Sequence, residues 1–278
     1  MIPAAFDYEV AESAEHAVEL LGSHEDATLL AGGHSLIPML KLRFARPSVL
    51  VDIGRIKELS YVRDAGEWLA VGAMTRHKAV RDDPLLQEHC PIVSHTAGLI
   101  GDPQVRHRGT IGGSLAHCHP ASDLPAVILA LEAELVIKGP DGERTVSAVE
   151  FFRGAFQSAI GPGEMLTEIR IPKLGRWTGW SYLKYTRRAQ DWATVGVAAL
   201  LRRENGSVGD ARIGLTNMGM TPLRAEATEQ ALRAGDADPA AHIAEGASPA
   251  TDVGASAEFR SHLARVMGRR AIEEALSR

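Results

Sequence analysis

Two short stretches of this chain, Ala31-Gly32-Gly33-His34-Ser35 and Thr110-Ile111-Gly112-Gly113-Ser114, share one pattern: an apolar residue leads into two glycines, and a serine closes the stretch. Paired glycines let the backbone take positive φ and let another group approach it closely. Consecutive N–H groups can then converge on an anion, and a helix that starts just after the turn adds its positive end. The serine hydroxyl is a further donor. A single Gly-Gly pair is usually an ordinary tight turn. Two similar turns fit a diphosphate gripped from both sides, so the chain must fold to bring residues 31–35 and 110–114 together.

The rest of the sequence supplies elements that could do this. The short β-branched run Ser48–Ile53, bounded by Pro47 and Gly54, reads as a strand, as does Trp68–Ala73. A helix is expected near Ala11–Leu21, with Ala14, Ala17, Val18 and Leu21 on one face. Strand and helix alternating in this way argue for α/β in the first half. Residues 134–151 read as a hairpin turning at Gly139-Pro140-Asp141-Gly142, followed by a strand at Leu166–Ile171 that stops at Pro172. The polar, glycine-containing segment 173–179 reads as a domain junction. Beyond it, strands are expected at 181–186, 193–202 and 211–217, with a hairpin signal at Asn205-Gly206. Phe259, Leu263, Val266, Met267 and Leu276 recur at helical spacing and read as core packing.

Composition removes several classes. With 30 Lys and Arg against 35 Asp and Glu, the formal charge is −5, which gives no electrostatic basis for wrapping nucleic acid. Arg106-His107-Arg108 and Arg187-Arg188 read as solvated surface charge. The longest apolar run, Ala126–Leu131, is far short of the ~18 residues a membrane span needs. The N-terminus lacks the basic-then-apolar pattern of a secretory signal. Two cysteines make no disulfide framework, and a cytoplasmic protein is expected. They also cannot supply the four thiolates that usually hold an iron–sulfur cluster, so redox chemistry here would need an organic cofactor or a metal-bearing partner.

No G-x-G-x-x-G follows a strand, and no G-x-x-x-x-G-K-[ST] occurs, so neither a Rossmann dinucleotide site nor a phosphate loop for triphosphates is supported. A flavin dinucleotide is the natural remaining candidate. At this point the residues resemble a family. Ala-Gly-Gly-His-Ser-Leu-Ile-Pro at 31–38 looks like the first FAD-diphosphate loop of the medium subunits of aerobic, molybdenum-containing carbon monoxide dehydrogenases, within the xanthine dehydrogenase or molybdenum hydroxylase family. Asp102–Arg106 followed by Gly109–Gly113 resembles their second loop. Ile2-Pro3, Phe6-Asp7-Tyr8, Ile169–Pro172 and Ile213–Asn217 also match, so the resemblance spans essentially the whole chain.

The resemblance implies a mixed α/β, or α+β, chain. An FAD-binding domain of the vanillyl-alcohol-oxidase-like type would occupy residues 1–175, in subdomains of about 1–55 and 56–175. A smaller α+β domain, an antiparallel three-stranded sheet with helices, would occupy 176–278. It implies that Ala31, Gly32, Gly33, His34 and Ser35, with Thr110, Ile111, Gly112, Gly113 and Ser114, cradle the diphosphate of a non-covalent FAD. Asp123 matches an acidic position that holds the ribose or adjoining groups, while Leu166 and Lys184 match cofactor-contacting positions. Trp192 stands where a relative has a tyrosine lying against the flavin, which keeps a stacking face and loses the phenol.

Partners are implied as well. A large subunit would carry molybdenum-pyranopterin and a small one [2Fe–2S] clusters, assembled as a dimer of heterotrimers. Carbon monoxide would be oxidised with water at molybdenum. Electrons would reach the FAD of this chain and leave to an acceptor such as a quinone. Substrate chemistry would lie on the large subunit, so no catalytic residue for it is expected here. The flavin subunit of a related aldehyde or N-heterocycle or aromatic hydroxylase is a second reading. A self-contained flavin oxidase, with His34 bonded to the flavin, is a third, but the sequence offers it no clear general base. A flavin-free assembly subunit conflicts with the intact Gly-Gly stretches. His117-Cys118-His119 lacks the further ligands a zinc site needs, so no metal is expected and the residues read as a loop near the cofactor. Asp82-Asp83-Pro84 reads as a helix stop or cap, and Asp191 as a turn or cap residue.

Overall fold

In the computed structural model, which describes residues 1–175, 177 and 179–278, the chain opens with a small parallel sheet. Strand β1 (Asp7–Val10), helix α1 (Ala14–Ser23), strand β2 (Ala27–Leu30), helix α2 (Leu36–Leu42) and strand β3 (Val49–Asp52) follow in order, with β3 between β1 and β2. Asp7 pairs with Val49 on one side of β3, and Ala27 pairs with it on the other. Helix α1 starts later than its apolar spacing suggests because Ser13 caps it, accepting from the His16 N–H at 3.1 Å. The first Gly-Gly stretch is the connection from β2 to α2.

An antiparallel sheet comes next. It contains β4 (Val62–Ala65), β5 (Trp68–Gly72), then, after six helices, the hairpin β6 (Glu134–Gly139) and β7 (Gly142–Ser147), and finally β10 (Met165–Pro172), which lies centrally in the order β4-β5-β10-β6-β7. The helices are α3 (His77–Asp82), α4 (Pro84–His89), α5 (Pro91–Gly98), α6 (Pro103–Arg108), α7 (Ile111–His117) and α8 (Asp123–Leu131). A short helix α9 (Ala148–Phe151) and the two-stranded pair β8 (Phe152–Gly154) and β9 (Gln157–Ser158) link β7 to β10. Asp82-Asp83-Pro84 is a stop and a cap: α3 ends at Asp82, and Asp83 accepts from the N–H groups of Leu85 and Leu86. His117-Cys118-His119 runs from a helix into a loop. His117 ends α7, Cys118 caps it in the left-handed conformation at φ 48°, and His119 lies in the loop that follows. The expected junction at 173–179 leads from β10 to the third sheet; Arg176 and Thr178 within it lie outside the described residues.

The third sheet is antiparallel: β11 (Gly179–Tyr185), β12 (Val195–Glu204), β13 (Ser207–Thr216) and a two-residue strand β14 (Leu223–Arg224). The short β14 adds to the three strands read from the sequence; its pairs are Gly214 with Arg224 and Leu215 with Leu223. Asn205 and Gly206, both at positive φ, make the tight turn between β12 and β13. Helix α10 (Glu226–Ala234) and the terminal helix α11 (Ala257–Ser277) complete this unit. The buried face of α11 runs through Arg260, Leu263, Ala264, Met267, Gly268, Ala271 and Ala275. It is richer in small residues than the expected stripe, and Phe259 stays exposed. Small residues are needed because α11 meets β11 backbone to backbone: a Cβ on Gly179 would collide with the Ala275 carbonyl.

Strand β12 is apolar at every position from Val195 to Leu201 because both its faces are covered. Val195, Val197, Ala199 and Leu201 join the core under α11, whereas Ala198 and Leu200 join the core around α8. The two-residue period of the strand thereby welds the third unit to the second. Gly214 on β13 lets α8 lie directly on the sheet: a Cβ there would strike the Ala126 carbonyl and come within 3.3 Å of the Ala130 Cβ.

Two outcomes follow for stability. Gly214→Ala should destabilise the protein by about 1–3 kcal/mol, since backbone rather than a side chain must yield; thermal or denaturant unfolding reads this directly. The second concerns His77, buried at the start of α3, whose Nδ1 has no partner among the described residues. Burial, helped by nearby His34 and Arg106, pushes its imidazole down to about 4 from the usual 6.5. The unfolded chain therefore takes up this proton near pH 6.5 and the folded chain only near 4. The contribution is complete above pH 6.5 and is lost as pH falls toward 4. Urea unfolding should show about 2 kcal/mol lost to this group between pH 6.5 and 5, and His77→Phe should have a correspondingly shallower acid dependence.

Candidate functional site

A cleft of about 750 Å³ opens where the three sheets' connections meet. Ala31 to Ser35 enter it from the first unit, Thr110, Gly112, Gly113, Ser114, Asp123 and Leu166 from the second, and Lys184 and Trp192 from the third. The structure thus brings together the residues singled out in the sequence. Ile111 is the exception: it is fully buried and supports the cleft from beneath.

The two Gly-Gly stretches touch. Gly32 lies against the backbone leading into the second stretch, and a Cβ there would collide with the Arg108 carbonyl and sit 2.8 Å from the Gly109 Cα. Gly113 faces back, with Ala31 Cβ 3.9 Å from where its own Cβ would be. Despite the shared pattern, the two are not equivalent. Gly33 is left-handed at φ 76°. The N–H groups of Gly32, Gly33, His34 and Ser35 meet no protein acceptor among the described residues. In the second stretch the N–H groups are spent internally. Ile111 donates to Thr75 O at 2.9 Å, Gly112 to Ala73 O at 2.9 Å, Gly113 to Thr110 Oγ1 at 3.1 Å, and Ser114 to Thr110 O at 3.1 Å. Gly112 is a glycine for packing: its Cβ would lie 2.6 Å from the Ala73 carbonyl oxygen. What the second stretch offers instead is a hydroxyl pair. Ser114 Oγ and Ser122 Oγ are 2.8 Å apart and both residues line the cleft. One proton satisfies their mutual bond, which leaves the other free to donate into the cleft.

Asp123, first residue of α8, is buried, and both its oxygens are occupied. Tyr182 Oη donates to Oδ1 at 2.8 Å and Lys184 Nζ to Oδ2 at 2.8 Å. Burial pushes the Asp123 carboxyl above its ordinary range, against the pull of Lys184 and Tyr182. Burial also holds the Tyr182 phenol well above its usual value, with the Asp123 charge adding to it. The Lys184 ammonium reaches Leu99 O at 3.2 Å as well. Trp192, half exposed, stacks on His119 with ring centroids 4.4 Å apart and planes 9° apart. Phe156 sits edge-on to His119 at 5.2 Å, and His117 packs on the Phe156 ring at 5.2 Å. Burial, with His117 close by, holds the His119 imidazole down at about 4, so the stacked ring is neutral at neutral pH. These histidines make ring contacts, and no group of three or more His, Cys, Asp or Glu is placed to hold a metal among the described residues.

Three features of the cleft escape the sequence reading. His77 lines it near the Gly109 turn. The Gly161-Pro162-Gly163-Glu164 turn forms another wall, fastened by two hydrogen bonds from Arg144 to the Glu164 carboxylate at 2.8 and 2.6 Å. Tyr182 backs Asp123. Only Tyr182 had a usable signal: it precedes Lys184 by two on a strand and so shares its face.

Comparison with known proteins agrees with this architecture. Residues 4–174 match the family described as the FAD binding domain in molybdopterin dehydrogenase, and residues 180–275 match the CO dehydrogenase flavoprotein C-terminal domain. The whole chain is 44% identical to the carbon monoxide dehydrogenase medium chain of Hydrogenophaga pseudoflava, covering 99% of it. It is 39% identical over its full length to subunit alpha of the 6-hydroxypseudooxynicotine dehydrogenase complex of Paenarthrobacter nicotinovorans, covering 97% of that protein. Reconstituted CO dehydrogenase from Oligotropha carboxidovorans contains a chain that superposes with a TM-score of 0.96 at 42% identity, both chains being fully covered. The chain belongs to the family of FAD-binding flavoprotein subunits of molybdenum-containing dehydrogenases, among them the carbon monoxide dehydrogenase medium chains.

Proposed function

We propose that this chain holds FAD non-covalently in the cleft and serves as the flavin subunit of a molybdenum hydroxylase that oxidises carbon monoxide. The observation that carries the site is the run of four unengaged amides from Gly32 to Ser35, around a left-handed glycine, facing a cleft of about 750 Å³. That volume is within the roughly 300–1,000 Å³ of cofactor sites, and unengaged amides at a glycine turn are the chemistry a diphosphate needs.

In this reading Ala31–Ser35 donate to the diphosphate from one side. Thr110–Ser114 close the other side through the Ser114 and Ser122 hydroxyls, with Ile111 packing below. Leu166 gives an apolar wall, Trp192 an aromatic face, and Lys184 a cation fixed by Asp123. His34 is a neighbour of the cofactor and forms no bond to it. Residues 1–175 act as the FAD-binding unit and 176–278 as the C-terminal unit. Bound flavin supplies storage for electrons between single-electron carriers and a two-electron acceptor.

The assembled enzyme converts carbon monoxide and water into carbon dioxide, two protons and two electrons at molybdenum-pyranopterin on a large subunit. This chain stands between the [2Fe–2S] clusters of a small subunit and an external acceptor such as a quinone, in a dimer of heterotrimers. Support comes from full-length identity to a carbon monoxide dehydrogenase medium chain. The similarity to a subunit of a 6-hydroxypseudooxynicotine dehydrogenase complex supports the second reading, the flavin subunit of a related aldehyde or N-heterocycle or aromatic hydroxylase. No helix among the described residues is long and apolar enough to cross a membrane. Both cysteines are buried and free, which suits a cytoplasmic location.

Affinity purification of the tagged chain from its native host, with metals and flavin assayed per chain, tests this. Molybdenum, iron and acid-releasable FAD should co-purify, and the complex should reduce a quinone or dye with carbon monoxide. A metal-free protein that keeps its flavin and oxidises an alcohol or aldehyde alone overturns the reading. Carbon monoxide inert beside an active aldehyde or N-heterocycle moves the chain to the second. Gly32→Val should weaken flavin binding by roughly tenfold or more, equivalent to about 1.4 kcal/mol, read as lost flavin absorbance.

A further inference from the structure

Tyr182 and Lys184 leave the same face of β11, but they end in different places. Lys184 lines the cleft, and Tyr182 lies wholly buried behind it. They share one carboxylate, Asp123, with 2.8 Å from each donor to its own oxygen. Room for the phenol is built into the sheet: Gly196 on β12 leaves the space, since a Cβ there would lie 2.5 Å from Tyr182 Oη. Thr216 Oγ1 on β13 stands 3.4 Å from the same oxygen. A buried carboxylate with a single partner is poorly compensated, whereas two charge-directed donors can keep it ionised. An ionised Asp123 in turn pins an otherwise mobile lysine, whose side chain is only 7% exposed, at one place on the cleft wall.

We propose that Tyr182 is a positioning residue for the cofactor's redox function: acting through Asp123, it fixes the Lys184 ammonium beside the flavin, where a fixed cation favours the reduced, more electron-rich state. The proposal rests on FAD occupying the cleft. Removing the phenol leaves Asp123 with one donor, so the Asp123–Lys184 pair loosens and the positive charge moves toward solvent, where water screens it. Reduced flavin then loses part of its electrostatic support.

The experiment is a spectroelectrochemical titration of the flavin in the full chain, purified with whatever subunits accompany it. It compares wild type, Tyr182→Phe, Lys184→Gln, Lys184→Arg and the Tyr182→Phe/Lys184→Gln double variant. Tyr182→Phe and Lys184→Gln should each shift the equilibrium about tenfold toward oxidised flavin, a midpoint about 30 mV lower for a two-electron couple. Lys184→Arg should stay near wild type. The double variant should fall short of the sum, because both changes act on one charge. A Tyr182→Phe protein that melts at lower temperature but keeps the wild-type potential makes Tyr182 a structural clamp and overturns the proposal. Should that variant not fold, an unmoved potential in Lys184→Gln overturns it equally. A wild-type protein that binds no flavin sinks the underlying reading instead.

Discussion

Helix α8 is buried on every side, and the rest of the molecule is arranged around that burial. All nine residues from Asp123 to Leu131 are buried. Leu124, Val127, Ile128 and Leu131 enter the central core, each contributing about 1.5–3 kcal/mol by leaving water. A helix apolar all round needs cover from several directions. Here the antiparallel sheet of the second unit lies on one side and β12 and β13 of the third on another. Asp123 is the one charge the helix carries, and it sits at the end that meets the cleft. Its compensation comes from β11, across the boundary between units. The packing that joins the units and the electrostatics of the cleft therefore share one helix, and neither can be loosened alone.

The far end of α8 repeats this logic with weaker burial. Glu132, left-handed at φ 54°, receives Arg212 at 2.6 Å and Arg224 at 3.1 Å, both from the third unit. Arg224 also grips the buried Glu229, whose carboxylate accepts from the Ile213 N–H at 2.8 Å. Charges at both ends of an apolar helix fix its register on the sheet, and an apolar surface by itself would not. The first unit is attached differently. Its seam with the second combines the backbone approach of Gly32 to Arg108 and Gly109, a shared core in which Val18 and Val51 join Met74 and Met165, and the Glu15–Lys138 ion pair at 2.5 Å. The cleft lies between the shared core of β12 on one side and, on the other, a seam that presents glycine backbone where it lines the cleft.

Much of this was legible in the sequence because it rests on local rules. Strands bounded by Pro47, Pro172 and Asn205-Gly206, and caps such as Asp83, follow from short-range stereochemistry. The convergence of residues 31–35 and 110–114 was signalled by their likeness. The different jobs of the two stretches were not. Whether a glycine is present for a free amide or for close packing depends on what lies opposite, and Ala73 lies far away in sequence from Gly112. His77 was hidden for the same reason: burial and a missing partner are tertiary facts. The loop read at His117–His119 lies beside the cleft, but the helix that runs into it was hidden, because Thr110 capping and the left-handed Cys118 set its start and stop.

The cleft combines two chemistries that seldom meet by chance. From the first unit come amides that meet no acceptor among the described residues. From the third come a half-exposed indole stacked on a neutral imidazole, and an ammonium held in place by a buried carboxylate. Unengaged amides in a fold are costly if they stay dry and favourable if an anion meets them. A half-exposed indole gains by covering its open face with another flat ring. A ligand answering both needs carries compact negative charge and an extended planar ring on one flexible body. Residues drawn from all three units must then be held in register for both ends to be met at once. That requirement explains why the fold places α8, buried at every position, at the boundary between the units that frame the cleft.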